Sequence, residues 1–173
     1  MALVVFLRGV NVGGHKTFRP SQLVEQLKKF EAVNIGAAGT FIIRKRVAQS
    51  TLRSEIARRL PFESKMAICD GREIVQLIEA APFGSHPPAA DVVRFVSVML
   101  PPGKVPSNVQ QRWPETGDWL VRVLDVHPPF IVGEYRRNMK TISYLGGLDK
   151  AYGGTMTTRN WNTFNTIAKK LSI

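Results

Sequence analysis

Cysteine is almost absent from this sequence: Cys69 is the only one among 173 residues. One thiol excludes an internal disulfide framework and fits a reducing compartment. Long apolar runs are missing too. No stretch approaches the roughly 18 residues that a membrane span needs. The opening run Ala2–Leu7 has no basic region before it and no small-residue cleavage site after it. A signal peptide and a membrane partner are therefore not expected, and the expected location is cytoplasmic. His15, His86 and His127 sit in separate Gly- or Pro-rich loops without ligand spacing, so no metal site is expected. No cofactor motif is present. No carboxylate pair stands out for acid–base work, and Cys69 lies among apolar neighbours without an activating motif. The chain offers no catalytic residue to defend, and a non-catalytic binder is the expectation.

Acidic residues are also scarce. Thirteen Asp and Glu stand against 24 Lys and Arg, a net charge of +11. Such a field attracts polyanions by steering and by counterion release at phosphates. The surplus is spread along the chain, with 13 basic and 7 acidic residues in 1–82 and 11 and 6 in 83–173. There is no basic tail or arm. The hydrophobic fraction, 44%, is that of an ordinary folded chain.

Periodicity divides the chain into two similar successions. Ala2–Arg8 is a short apolar run that predicts a buried strand. Pro20 opens a helix carrying Leu23, Val24, Leu27 and Phe30. Val33–Ile35 and Thr40–Val47 predict a strand pair around Gly36-Ala37-Ala38-Gly39. Ser50 is placed to cap a helix with Leu52, Ile56 and Leu60 inside, ended by Pro61. Met66–Cys69 is a further strand, and Asp70 with Glu73 forms a capping-box-like start to the next helix. Residues 83–91, in a Pro-rich stretch, read as a linker.

The succession then returns. Val92–Leu100 predicts a strand and Val105–Gln111 a short helix. Trp119–Val126 and Phe130–Arg136 predict a strand pair. A helix over Thr141–Tyr152 is weakened by Gly146-Gly147. Thr155–Thr157 is a short strand, and Thr158 is placed to cap a last helix. Each half reads β-α-β-β-α-β-α. The expected fold is α+β: two tandem ferredoxin-like (βαββαβ) plaits, each followed by an extra helix, with boundaries 1–82 and 92–173.

Two motifs carry the candidate ligand residues. Arg8-Gly9-Val10-Asn11-Val12-Gly13-Gly14-His15-Lys16 is a glycine-rich loop between a strand and a helix, a place where backbone N–H groups can meet an anion. Arg8 and Lys16 add charge, and Arg8 is suited to bidentate contact with phosphate or carboxylate. The loop lacks the Gly-Lys-Ser/Thr ending of a Walker A motif and the glycine spacing of a dinucleotide fingerprint. Its glycines equally suit a tight turn with Asn11 bonding its own loop. The second motif, Thr157-Thr158-Arg159-Asn160-Trp161-Asn162-Thr163, starts the last helix, where Arg159 and the helix dipole favour an anion. It also reads as a cap with a core tryptophan. The candidate anion-binding residues are Arg8, Asn11, Gly13, Gly14, Lys16, Thr158, Arg159, Asn160 and Asn162.

With both motifs at this separation, the chain resembles the domain of unknown function 1697 family, which is bacterial, over essentially its whole length. The resemblance implies tandem ferredoxin-like plaits and a cleft between them lined by both end motifs. The chain has Ala38-Gly39-Thr40 where that family usually carries a Ser-Gly-Asn turn, and glycines inside the Thr141–Tyr152 helix. Three functional expectations follow. The first is binding of nucleic acid or another polyanion through basic and helix-N-terminal sites. Phe6, Phe41, Phe95 and Phe130 lie on strands where RNA-recognition sheets carry stacking aromatics, and Arg44-Lys45-Arg46 with Arg53, Arg58 and Arg59 suggest a basic face, as do Arg136-Arg137 with Lys140. The second is a small phosphorylated or carboxylate-bearing ligand held between the halves. The third is a purely structural role joining the plaits.

Overall fold

Strand β1, Leu3–Leu7, is built from five apolar residues that are all buried. Successive side chains on a strand point to opposite faces, so both faces of β1 are covered. The computed structural model describes residues 1–101 and 111–172. Tertiary contacts divide it into two units, one of residues 1–76 with those from 165 onward, the other of residues 77–164.

In the first unit, β1 leads to α1 (Pro20–Gln26), a 3-10 turn (Lys28–Phe30), β2 (Ala32–Asn34), β3 (Thr40–Ile43), α2 (Gln49–Ala57) and β4 (Met66–Asp70). The sheet order is β2-β3-β1-β4, and every pairing is antiparallel, with Val5 opposite both Phe41 and Ile68. Leu3, Val5 and Leu7 of β1 share a core with Leu23, Leu27, Leu52 and Ile56. A period of two on the strand meets a period of three to four on the helices, as burial of one face of each requires.

The predicted helix boundaries change in two places. The helix begun at Pro20 tightens into the 3-10 turn and ends where Glu31 takes a left-handed conformation, φ 54°. Ser50 does not cap α2. The backbone is still extended at Ala48 and is helical from Gln49, so Ser50 lies within the first turn. Asp70 behaves as expected at the start of α3 (Gly71–Glu79). Its Oδ1 accepts the Arg72 N–H at 2.9 Å, and Glu73 Oε2 accepts the Asp70 N–H at 2.8 Å.

Residues 80–91 contain no helix or strand. The second unit then holds β5 (Val92–Met99), β6 (Arg112–Trp113), β7 (Val121–His127), β8 (Phe130–Arg136), α4 (Thr141–Gly146), α5 (Leu148–Ala151) and β9 (Met156–Asn160), followed by α6 (Trp161–Leu171). Its antiparallel order is β6-β7-β8-β5-β9. In both sheets the first long strand, β1 or β5, lies between the last strand and the strand before it. The short edge strand β6 was not foreseen. The helix expected over 105–111 falls outside the described residues except for Gln111. The single helix expected over 141–152 is two short ones broken at Gly147, in keeping with the low helix propensity of paired glycines. Phe95, Met99, Val121, Ile131, Leu148 and Tyr152 form the core of this unit. Among the described residues no helix is long and apolar enough to cross a membrane.

Candidate functional site: an arginine-walled pocket

The glycine-rich loop that follows β1 is a hairpin. Gly13 and Gly14 have φ of 57° and 76°, and the His15 N–H donates to Val12 O at 3.0 Å. Two consecutive positive φ values are those of a type I′ turn, which glycine adopts without steric cost. One residue pair further down, the Asn11 N–H donates to Lys16 O at 3.1 Å. Asn11 spends its amide on the backbone: Oδ1 accepts the Phe18 N–H at 2.9 Å, and Nδ2 donates to Ala37 O at 3.0 Å. Lys16 Nζ donates to Glu63 O at 2.8 Å. The Arg8 carbonyl accepts the Ser64 hydroxyl at 3.0 Å, and the Arg8 N–H donates to Lys65 O at 2.9 Å. The first motif thus ties residues 8–18 to the turn at 37 and the segment 63–65, all within the first unit.

The second motif lies in the second unit and is organised differently from its sequence reading. Thr158 is not the helix cap. Strand β9 pairs with β5 as far as Asn160, which lies opposite Phe95, so the helix starts at Trp161. Thr158 Oγ1 instead lies 2.6 Å from the buried Ser97 Oγ. Asn160 is the cap, its Oδ1 accepting the Thr163 N–H at 2.9 Å and the Thr163 hydroxyl at 3.1 Å. Arg159 is 9% exposed. Its Nη1 donates to Thr157 Oγ1 at 2.8 Å and to Thr158 O at 2.9 Å. Burial pulls its guanidinium down to about 10.

At this end of the second unit a cavity of about 280 Å³ opens, lined by Arg94, Arg137, Asn160, Trp161, Asn162 and Val92 among others. Asn160 and Asn162 come from the second motif; Arg137 entered only with Arg136 and Lys140 as a second basic cluster, and Arg94 was not singled out by the sequence. Arg94 belongs to a row crossing four strands, in which Arg112 faces Arg122, Arg122 faces Glu134, and Glu134 faces Arg94. Glu134, 7% exposed, is the only acid in the row. Its Oε2 takes two bonds from Arg122, at 2.8 and 3.2 Å. Its Oε1 is 3.6 Å from Arg94 Nε, beyond hydrogen-bond reach; that nitrogen is buried without an acceptor among the described residues, while Arg94 Nη2 donates to His86 O at 2.5 Å. The attraction of the pair survives at this distance, but the directional bond does not form. Arg137 is anchored by Nη1 to Ala90 O at 2.8 Å. The Trp119 ring carries the guanidiniums of both Arg122 and Arg136, at 4.1 and 4.2 Å. A charged residue between two apolar neighbours, Arg94 in β5, and a mid-strand carboxylate, Glu134 in β8, were the available signals in the sequence.

Other expectations are overturned or narrowed. Phe6, Phe41 and Phe95 are fully buried and Phe130 is 2% exposed, so none of them is available to stack on a base. The supposed basic face is largely engaged. Glu55 gathers Lys29, Arg58 and Arg59 at 3.2, 3.0 and 2.6 Å. Arg44 and Arg53 donate to the carbonyls of Lys170 and Met66. Burial pushes the Cys69 thiol up to about 12, far from a nucleophile's range. Among the described residues no group of three or more His, Cys, Asp or Glu is placed to hold a metal ion. A larger cavity of about 530 Å³ lies in the first unit beside Gln22, Gln26 and Arg59, but there Arg59 is already held by Glu55.

These features define an α+β protein with two antiparallel sheets and a basic pocket at one end of the second. The chain belongs to the family described as "Protein of unknown function (DUF1697)", whose model matches residues 1–116. It is similar in fold to a conserved bacterial protein, SP0830 from Streptococcus pneumoniae, with a TM-score of 0.60 and 13% identity over 98% of each chain. No curated protein matches the sequence.

Proposed function

We propose that this chain binds a small ligand bearing a phosphate or carboxylate, and that the pocket walled by Arg94 and Arg137 receives it. The observation that carries this reading is the division of one buried carboxylate, Glu134, between two guanidiniums. Glu134 is drawn to Arg122, and Arg94, whose Nη2 donates to the neutral His86 carbonyl, keeps a buried Nε that has no acceptor among the described residues. A buried cation without a full partner is costly, and an anion in the adjoining pocket offsets that cost. Guanidinium groups suit oxyanions because their N–H edges match two oxygens at once. The positive end of the α6 dipole acts in the same direction. The pocket lies within the second unit, whereas the family resemblance implied a cleft between the halves. The reading assigns no chemical step. We further read each unit as a ferredoxin-like plait, a reading supported by the shared strand order, and place the protein in the cytoplasm, where a lone buried thiol is at home.

The test is a thermal shift of the whole chain with inorganic phosphate against chloride at matched ionic strength. Saturable stabilisation that Arg137→Ala removes is the expected result. A shift that follows ionic strength alone, or that survives Arg137→Ala, would overturn it.

A second reading, binding of a nucleic acid, is favoured by the net charge of +11. With the four phenylalanines buried, it depends on phosphate contacts. It therefore requires oligonucleotide affinity to fall steeply, and without regard to sequence, as salt rises.

A further inference from the structure

We infer that the pocket's ligand is a compact phosphomonoester with a body of about one ring, seated with its phosphate between Arg94 and Arg137 and its ring against Trp161; this rests on the anion reading above. Size sets the first limit. A cavity of about 280 Å³ holds roughly nine waters at about 30 Å³ each. That is slightly below the range of about 300–1,000 Å³ usual for drug-sized ligands. It has room for a phosphate and one ring, and a larger ligand would extend beyond it.

Charge sets the second limit. Glu134 can neutralise only one of Arg94 and Arg122, and the exposed Arg137 has no carboxylate partner among the described residues, its guanidinium being anchored to a carbonyl. The surplus exceeds one positive charge. A carboxylate supplies one negative charge, whereas a phosphomonoester carries about 1.5 to 2 at neutral pH and offers three acceptor oxygens.

The third limit is the aromatic part of the lining, Trp161. The Trp161 indole lies nearly parallel to Phe164, at 12° with centroids 6.4 Å apart, and Phe83 meets it edge-on at 5.0 Å. An indole fixed by two aromatic neighbours is a preformed apolar surface whose ordering cost is already met on folding. Val92, Pro88, Asn160 and Asn162 line the same cavity. An inorganic anion would leave this wall unused.

Titration calorimetry and tryptophan emission on the whole chain test the assignment, with inorganic phosphate, ribose 5-phosphate and phenyl phosphate as probes. The two ring esters are expected to bind at least tenfold tighter than inorganic phosphate and to change the part of the emission that Trp161→Phe removes. Trp161→Ala should lose the tenfold gain and keep inorganic phosphate binding, while Arg137→Ala weakens all three. If Trp161→Ala does not fold, Trp161→Phe alone decides through the emission change. Ring esters that bind no tighter than inorganic phosphate overturn the ligand class and leave the anion site standing. Failure of every phosphate probe overturns both. A 5′-phosphorylated oligonucleotide that binds tenfold tighter than ribose 5-phosphate would reassign the pocket to a nucleic-acid end.

Discussion

Arg94 Nε and Glu134 Oε1 lie 3.6 Å apart across the β5–β8 pairing, near enough for charge attraction and too far for a hydrogen bond. The carboxylate has settled on Arg122 at 2.8 Å instead. One buried acid serving two partly exposed guanidiniums makes this cluster sensitive both to loss of the acid and to arrival of an anion.

Glu134→Gln should therefore destabilise the protein by on the order of 3 kcal/mol, because it leaves two guanidiniums around a neutral amide. Urea unfolding gives the value. Phosphate at millimolar concentration should restore part of the loss, more than it stabilises the natural chain. Equal stabilisation of the two proteins would show that the anion does not reach the Arg94 cluster.

Two glycines in one turn separate backbone strain from steric conflict. Gly36 and Gly39 both have positive φ, 70° and 78°. A Cβ at Gly36 meets nothing within 4 Å, whereas at Gly39 it would lie 2.6 Å from Val10 Cγ2 and 2.9 Å from Leu7 Cβ. Gly36→Ala should cost about 1 kcal/mol for the left-handed backbone alone. Gly39→Ala should cost that plus about 1–3 kcal/mol of overpacking. Melting temperatures compared side by side check this, and equal losses would contradict the packing of Val10 beneath the turn.

The strands that bury their residues on both faces were legible, because runs such as Leu3–Leu7 and Val92–Met99 announce themselves by composition alone. The start of α6 was not. Thr157, Thr158 and Asn160 are all competent caps, and what decides among them is the pairing of β9 with β5, a tertiary fact. The same holds for Arg94 and Glu134. Each is a charge in mid-strand, but their meeting depends on a register that no local pattern contains. Strand β6, two residues long, has no periodicity to detect. The tight turn at Gly13-Gly14 was legible, but the reach of Asn11 to Ala37 O in another turn is a tertiary contact that no local pattern contains.

That reading of Asn11 has its own test. Asn11→Ala removes the acceptor for the Phe18 N–H and the donor to Ala37 O, and puts alanine at φ 54°. The expected loss is about 2–4 kcal/mol, from one stranded backbone pair and one left-handed residue. Asn11→Asp keeps the acceptor and should recover part of it. A large loss of phosphate affinity with unchanged stability would instead make Asn11 a ligand residue.

The ion cluster on α2 gives the clearest dependence on pH. Hydrogen bonding from Arg58, with help from Lys29 and Arg59, holds the Glu55 carboxyl at about 2, against an ordinary value of 4.5. A carboxyl depressed on folding contributes stability that is fully present above its unfolded value and is lost as pH falls through its folded value. The window is therefore about pH 4.5 down to about 2. Glu55→Gln should be less stable than the natural chain at pH 6, and the difference should shrink through that window as the natural carboxyl takes up its proton. Because Lys29 and Arg58 are well exposed, 0.5 M salt should narrow the difference at pH 6 as well. Stability curves of the two proteins that run parallel from pH 6 to pH 2 would mean that Glu55 is held by packing and not by its three cations.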